Sequence, residues 1–184
     1  MPFLMGETVY LRGLSEEDLD GPWFRWFDDP EVCRFNNHHR FPNTMPRMRE
    51  FLERAAGGPD TLVLAVVHKE SHNHLGNVSL DRIDWVNRSA EFSIIIGEPS
   101  AWRQGAGREA GRLIVRHGFL ELGLNRIGCG TSEDNVGMQK LAGKLGMHEE
   151  GRRRQAMYKK GRYLDILEYG VLRDEFMSLN WCQR

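Results

Sequence analysis

An α/β fold, with helices flanking one mixed and mostly antiparallel sheet of about seven strands, is predicted by three features of this sequence. Apolar, β-branched segments recur at residues 61–68, 75–80 and 91–96, and the short turns between them, at 69–74 and 85–88, join them as hairpins. The period then changes. Residues 107–122 carry Ala110, Leu113, Ile114 and His117 at helical spacing, which places one helical crossover in the middle of the sheet. Finally, two closing strands at 154–159 and 165–172 turn at Lys160-Gly161. A length of 184 residues suits one domain with its own core.

The remaining elements follow in chain order. Thr-Val-Tyr-Leu-Arg at 8–12 reads as the first strand, and Ser15 followed by Glu16, Glu17 and Asp18 resembles a helix start with acids in its first turn. A short aromatic helix is expected around Trp23, Trp26 and Phe27, ended by Asp28-Asp29-Pro30-Glu31. Residues 36–46, rich in Asn, Pro and His, form a loop. Residues 47–56 form a helix that Gly57-Gly58-Pro59 stops. A short strand at 126–131 precedes a helix at 135–145, whose Met138, Leu141 and Leu145 share a stripe, and Gly146 stands where a left-handed cap is expected.

Composition excludes several classes. Lys and Arg (25) nearly cancel Asp and Glu (26), which argues against a nucleic-acid binder working by phosphate neutralisation. Cys33, Cys129 and Cys182 are scattered and odd in number, unlike a disulfide framework or a zinc site. No apolar run is long enough to span a bilayer, and the first residues lack a signal-peptide pattern, so no membrane partner and a cytoplasmic location are expected. His38-His39 and His72-Asn73-His74 fall in turns without matched ligands, and no metal is expected.

The segment 91–110 is the most informative. A strand containing Ile94, Ile95 and Ile96 runs into Arg103-Gln104-Gly105-Ala106-Gly107-Arg108, which opens a helix. Glycines there let backbone N–H groups approach an anion, the helix start adds unpaired donors, and the arginines add charge. Such a turn suits a pyrophosphate. Gly105, Gly107 and Ala110 also fit a dinucleotide fingerprint, but the antiparallel hairpins before them and the short chain after them leave no room for that fold.

Nearly the whole chain resembles a GNAT N-acetyltransferase, closest to the branch that acetylates ribosomal-protein N-termini. The family's acetyl-CoA motif matches residues 102–107, with Trp102 where the family has Gln or Arg. Asn135 to Met147, followed by Glu150-Gly151, resembles the family's next helix. The tail from Gly161 to Gly170 and the opening from Trp26 to Val32 resemble its last hairpin and first helices. The resemblance implies that acetyl-CoA binds in a wedge between the strand at 91–96 and the next, that Asn135 reaches the pantetheine arm, and that an amine attacks the thioester directly. Gly128 and Gly130 fit such a wedge, since strand glycines mark close approach of a ligand.

An aliphatic amine, with a pKa near ~10.4, needs a proton acceptor. Glu91, acting through a water, is the first candidate, and Ser132 the second, with a capping role as its alternative. The Tyr that the family uses to protonate the leaving thiolate is matched by Ala142; Tyr158 is a substitute, with core packing as the alternative. Trp26, Asp28 and Trp85 are expected around the acceptor, with core packing as the alternative for the tryptophans. The basic stretch Arg152-Arg153-Arg154 with Lys159, Lys160 and Arg162 reads as a solvated strand face, or else as contact with an anionic acceptor such as a nucleotide-linked sugar. The acceptor stays open among an amino sugar, a protein N-terminus and a small amine. A catalytically silent acetyl-CoA-binding module is the competing reading. Homodimers occur in the family, and no segment marks an interface.

Overall fold

The computed structural model describes residues 1–180; Cys182 lies outside them. Eight strands form one sheet: β1 (Leu4–Met5), β2 (Val9–Gly13), β3 (Leu62–His68), β4 (His74–Asp84), β5 (Ser89–Ile96), β6 (Arg126–Ser132), β7 (His148–Lys159) and β8 (Arg162–Leu172). Their order is β1-β2-β3-β4-β5-β6-β8-β7, and every neighbouring pair is antiparallel except β5 and β6. The mixed, mostly antiparallel sheet is therefore as expected. The additional strand, β1, has two residues, too few to show a period.

Among the described residues five helices flank the sheet: α1 (Trp23–Trp26), α2 (Met45–Gly57), α3 (Ala106–Leu120), α4 (Val136–Lys144) and α5 (Arg173–Met177). Side-chain alternation along the strands assigns them to faces. Leu64, Val66, Val78, Leu80 and Phe92 point to one face and pack with Ala110, Ile114 and Phe119 of α3. Ala142 of α4 and Phe176 of α5 join that core. A second cluster, of Leu19, Trp23, Trp26, Met48 and Leu52, brings α1 and α2 together with the 3-10 turn Glu16–Asp20. Val63 and Ser79, opposite each other in β3 and β4, belong to the face turned toward α2, away from α3.

Several boundaries differ from expectation, each for a local reason. The helix expected from residue 47 starts at Met45, because Pro46 sits in its first turn, where a missing N–H costs nothing. β7 starts at His148 rather than 154. Its arginines find carboxylates: Arg152 meets Asp165 at 3.0 Å and Glu133 at 3.3 Å, and Arg153 pairs with Glu168. The run is solvent-exposed, as a solvated strand face should be, and two of its arginines are ion-paired on this edge strand. The positive φ angles of Gly146 (80°), Lys160 (49°) and Gly161 (82°) fall where a cap and a hairpin turn are expected.

The helix start at Ser15 works in reverse of the usual cap. Asp18, 5% exposed, accepts from the Ser15 backbone N–H at 2.8 Å and from both Arg12 guanidinium nitrogens at 2.7 and 2.6 Å. His74 Nδ1 lies 3.3 Å from the same carboxylate. Burial alone would raise the Asp18 pKa, but the hydrogen bonds from Arg12, His74 and Ser15 win and hold it far below the carboxylate range. Asp18→Asn is expected to destabilise the fold by about 3 kcal/mol, because it strands Arg12 in a part-buried site. A depressed folded pKa stabilises above the unfolded value and loses that contribution as pH falls toward the folded one. In urea titrations the wild-type advantage over the variant should hold steady above about pH 4 and shrink below it.

Candidate functional site

β5 and β6 pair over only three positions, Ser89 with Arg126, Ala90 with Ile127 and Glu91 with Gly128. Beyond them β5 stays bonded to β4 as far as Ile96, and β6 stays bonded to β8 as far as Ser132. The two strands therefore part, and the facing edges of residues 92–96 and 129–132 have no strand between them. A cleft of about 740 Å³ opens there. Ser93, Ile94 and Ile95 line one side, Gly130, Thr131 and Ser132 the other, and Asn135 and Met138 its end.

The turn after β5 leaves backbone donors at the start of α3 without helical partners. Arg103 (φ 64°) and Gly105 (φ 97°) are both left-handed, which brings the chain abruptly into α3. Gly105 is the residue before the helix, and the first intrahelical bond runs from Glu109 N–H to its carbonyl at 3.0 Å. The N–H groups of Ala106, Gly107 and Arg108 therefore have no helical acceptor. A Cβ on Gly107 would make ordinary contact with Ile96 at 3.5 Å and Ile94 at 3.7 Å, so this glycine packs against the end of β5. Trp102, the departure from the family motif, donates from Nε1 to the Ile96 carbonyl at 2.7 Å and fixes the turn to the end of β5. The Gln104 amide donates back to the Ser100 carbonyl at 2.6 Å.

Asn135 caps α4, its side-chain oxygen accepting from Met138 N–H at 3.1 Å, while the residue lines the cleft. Ser132 also lines it, and its hydroxyl accepts from Asp134 N–H at 3.4 Å. Gly130 borders the cleft, whereas a Cβ on Gly128 would meet the Tyr169 carbonyl at 3.1 Å, so Gly128 permits close packing of β8. Ala142 is wholly buried, and Tyr158 lies outside the cleft, exposed and tilted against the Tyr163 ring.

The residues expected around the acceptor are not in the cleft. Trp26 is 3% exposed, donates to Glu98 at 3.0 Å and covers Gly97, where a Cβ would fall 1.9 Å from its ring. Asp28 accepts from Asn43 N–H at 3.0 Å and so shapes the loop rather than the cleft. Trp85 turns away to donate to the Pro59 carbonyl at 2.9 Å. Glu91 is 53% exposed, pairs with Arg82 at 3.0 Å and does not line the cleft either. Its cross-strand neighbour does: Asp81, directly opposite in β4, faces the cleft and accepts from Thr61 Oγ at 2.9 Å and Ser79 Oγ at 2.6 Å. Sequence reasoning missed Asp81 because β4 was expected to stop at Leu80. The one signal was its alternation with Ser79.

Loop residues 35–43 and α2 form the outer wall. Lys159, at the end of β7, donates to the carbonyls of Cys33 (2.9 Å), Asn36 (2.8 Å) and His38 (3.4 Å), and Arg40 donates to the Tyr158 carbonyl. Burial, with Arg40 and Lys160 nearby, pulls the Lys159 pKa down even though Cys33 opposes the shift. Burial and the Lys159 charge likewise lower the pKa of His38.

Comparison with known proteins identifies this architecture. The family model described as an acetyltransferase (GNAT) domain matches residues 8–148. The chain belongs to the GNAT acetyltransferase family. It is an acetyl-CoA-dependent N-acetyltransferase. Among relatives, the uncharacterized N-acetyltransferase p20 of Bacillus licheniformis is 28% identical over 96% of this chain and 99% of its own. The spermidine N(1)-acetyltransferase of Vibrio cholerae is 29% identical over 83% of this chain and 81% of its own. A crystal structure of spermidine N-acetyltransferase from Vibrio cholerae in complex with CoA and spermine superposes with a TM-score of 0.85. That match covers 94% of this chain and all of the other at 22% identity, and it shows the GNAT fold.

The Lys159 contacts make a direct prediction about the outer wall of this GNAT cleft. Lys159→Met removes the charged donor that holds three loop carbonyls, so amide hydrogen exchange over residues 33–40 should accelerate about tenfold. Exchange in β3 and β4 should not change.

Proposed function

We propose that this protein acetylates a small primary amine, which enters from the α2 side and attacks acetyl-CoA lying between β5 and β6. The observation that carries this reading is the parting of the two strands beside an acid-bearing cleft whose outer wall is tied down by Lys159. A cleft so walled suits a small molecule better than a protein N-terminus, the acceptor suggested by resemblance to the ribosomal branch. The spermidine acetyltransferases among its relatives also take a small amine.

In this reading the unpaired edge of Ile94, Ile95 and Ile96 holds the pantetheine arm as an added strand would, and one N–H of that edge polarises the thioester carbonyl. The turn Arg103-Gln104-Gly105-Ala106-Gly107-Arg108 receives the pyrophosphate on its free amides, with the Arg103 and Arg108 guanidiniums alongside. Asn135 adds a contact at the far end of the arm. Asp81 accepts the amine proton. Glu91, opposite it and paired with Arg82 outside the cleft, takes no proton in this reading. The N–C bond forms, the C–S bond breaks, and the thiolate is protonated by water, since Ala142 supplies no acid. Ser132 shapes the start of α4 and bounds the cleft.

Two measurements test these roles. Asp81→Asn should lower kcat about 100-fold with KM for acetyl-CoA little changed, while Glu91→Gln should cost less than about tenfold. The reverse ranking would move the proton acceptor back to Glu91. Gly105→Ala forces a side chain into a left-handed residue at the cradle, a strain of about 1–3 kcal/mol. Calorimetry should show weaker acetyl-CoA binding by about tenfold or more, with affinity for the acceptor retained.

A further inference from the structure

The charge of the cleft is opposite to what a polyamine needs. Among the described residues four guanidinium groups line it, Arg40, Arg47, Arg54 and Arg153, against a single carboxylate, Asp81. Arg153 is neutralised by Glu168. Among the described residues, none of the other three makes an ion pair: Arg40 donates to Asn37 Oδ1 and the Tyr158 carbonyl, and Arg47 to the Pro42 carbonyl at 3.3 Å. Three unpaired positive charges therefore face one negative one.

These arginines are arranged, not scattered. Arg47, Phe51 and Arg54 stand at i, i+4 and i+7 of α2, a single stripe, and all three line the cleft. Arg40 approaches from the loop on the same wall. The cofactor does not account for them. Its phosphates belong at the start of α3, which packs on the opposite face of the sheet, and the thioester end that reaches the cleft is uncharged. Unpaired guanidiniums along one wall attract an anion and repel a polycation.

We infer that the acceptor is an amine that also carries an anionic group, a carboxylate or a phosphate, held by Arg47 and Arg54 with Arg40 while its amino group lies at Asp81. This rests on the proposed acetyl transfer for its chemistry but on the arginine stripe for its ligand. It separates this chain from a spermidine acetyltransferase. The basic stretch of β7 is not the anion site, since Arg152 and Arg153 are already engaged with carboxylates.

The test is binding of matched pairs to the protein saturated with coenzyme A, read by calorimetry: glucosamine against glucosamine 6-phosphate, phenethylamine against phenylalanine, and spermidine. Each member that carries the carboxylate or phosphate should bind at least about tenfold tighter than its partner without it, and spermidine weakest. The phosphate and carboxylate arms distinguish the two anions. In the doubly substituted Arg47→Gln, Arg54→Gln protein the preference should vanish, through weaker binding of the members that carry the anion. Both side chains are exposed, so the fold should survive, and an unchanged melting temperature checks it. Equal affinity within every pair, tighter binding of spermidine, or a preference that persists in the variant would overturn the inference. Release of coenzyme A thiol from acetyl-CoA is read separately. Anion-selective binding without turnover of any bound amine would count against the proposed transfer and leave the anion site standing.

Discussion

The single parallel pairing in the sheet is the constraint on which the rest depends. β5 and β6 run side by side for three residues and then follow different antiparallel partners, β5 with β4 and β6 with β8. Each strand is fully bonded on its outer side, so neither can turn back to satisfy the edge it exposes. A backbone edge that has no strand beside it is an unfilled row of donors and acceptors, and buried groups of that kind require a partner. Acetyl-CoA, whose pantetheine arm carries amide groups, is suited to be that partner.

The helices divide the work across the two faces. α3 and α4 pack on the apolar face, and of their two starts the one at Asn135 lines the cleft. The opposite face carries Asn77, Ser79 and Asp81 on β4 and is walled by α2 and its preceding loop. Electrostatics differ accordingly. Backbone amides without a helical acceptor stand at the start of α3, while an aspartate and a stripe of arginines line the cleft on the other face. The Lys159 ammonium links the wall to the last hairpin, so the shape of the acceptor side is set by residues more than a hundred positions apart.

The legible parts of the fold share a property: their signals are local. The hairpin turn at Lys160-Gly161, the cap at Gly146 and the glycine turn before α3 are each written in adjacent residues, because positive φ and missing side chains are properties of single positions. The acceptor side was read poorly. Trp26, Asp28 and Trp85 have the right chemistry for an amine pocket, yet each spends it elsewhere, on Glu98, Asn43 and Pro59. A Trp with a polar handle and an Asp in a loop look the same in sequence whether they meet a ligand or another loop.

By itself, then, the sequence determined the class of fold, the glycine turn that opens α3, the helix that begins at Asn135 and the family. Each of these depends on short-range pattern and spacing. Only the tertiary structure decided which charges share the cleft. Asp81 faces Glu91 through strand register, and Arg40, Arg47 and Arg54 stand against the distant β5–β6 opening because α2 docks on that side of the sheet. Register and docking are set by the summed packing of the two faces, a long-range property that no window of residues records.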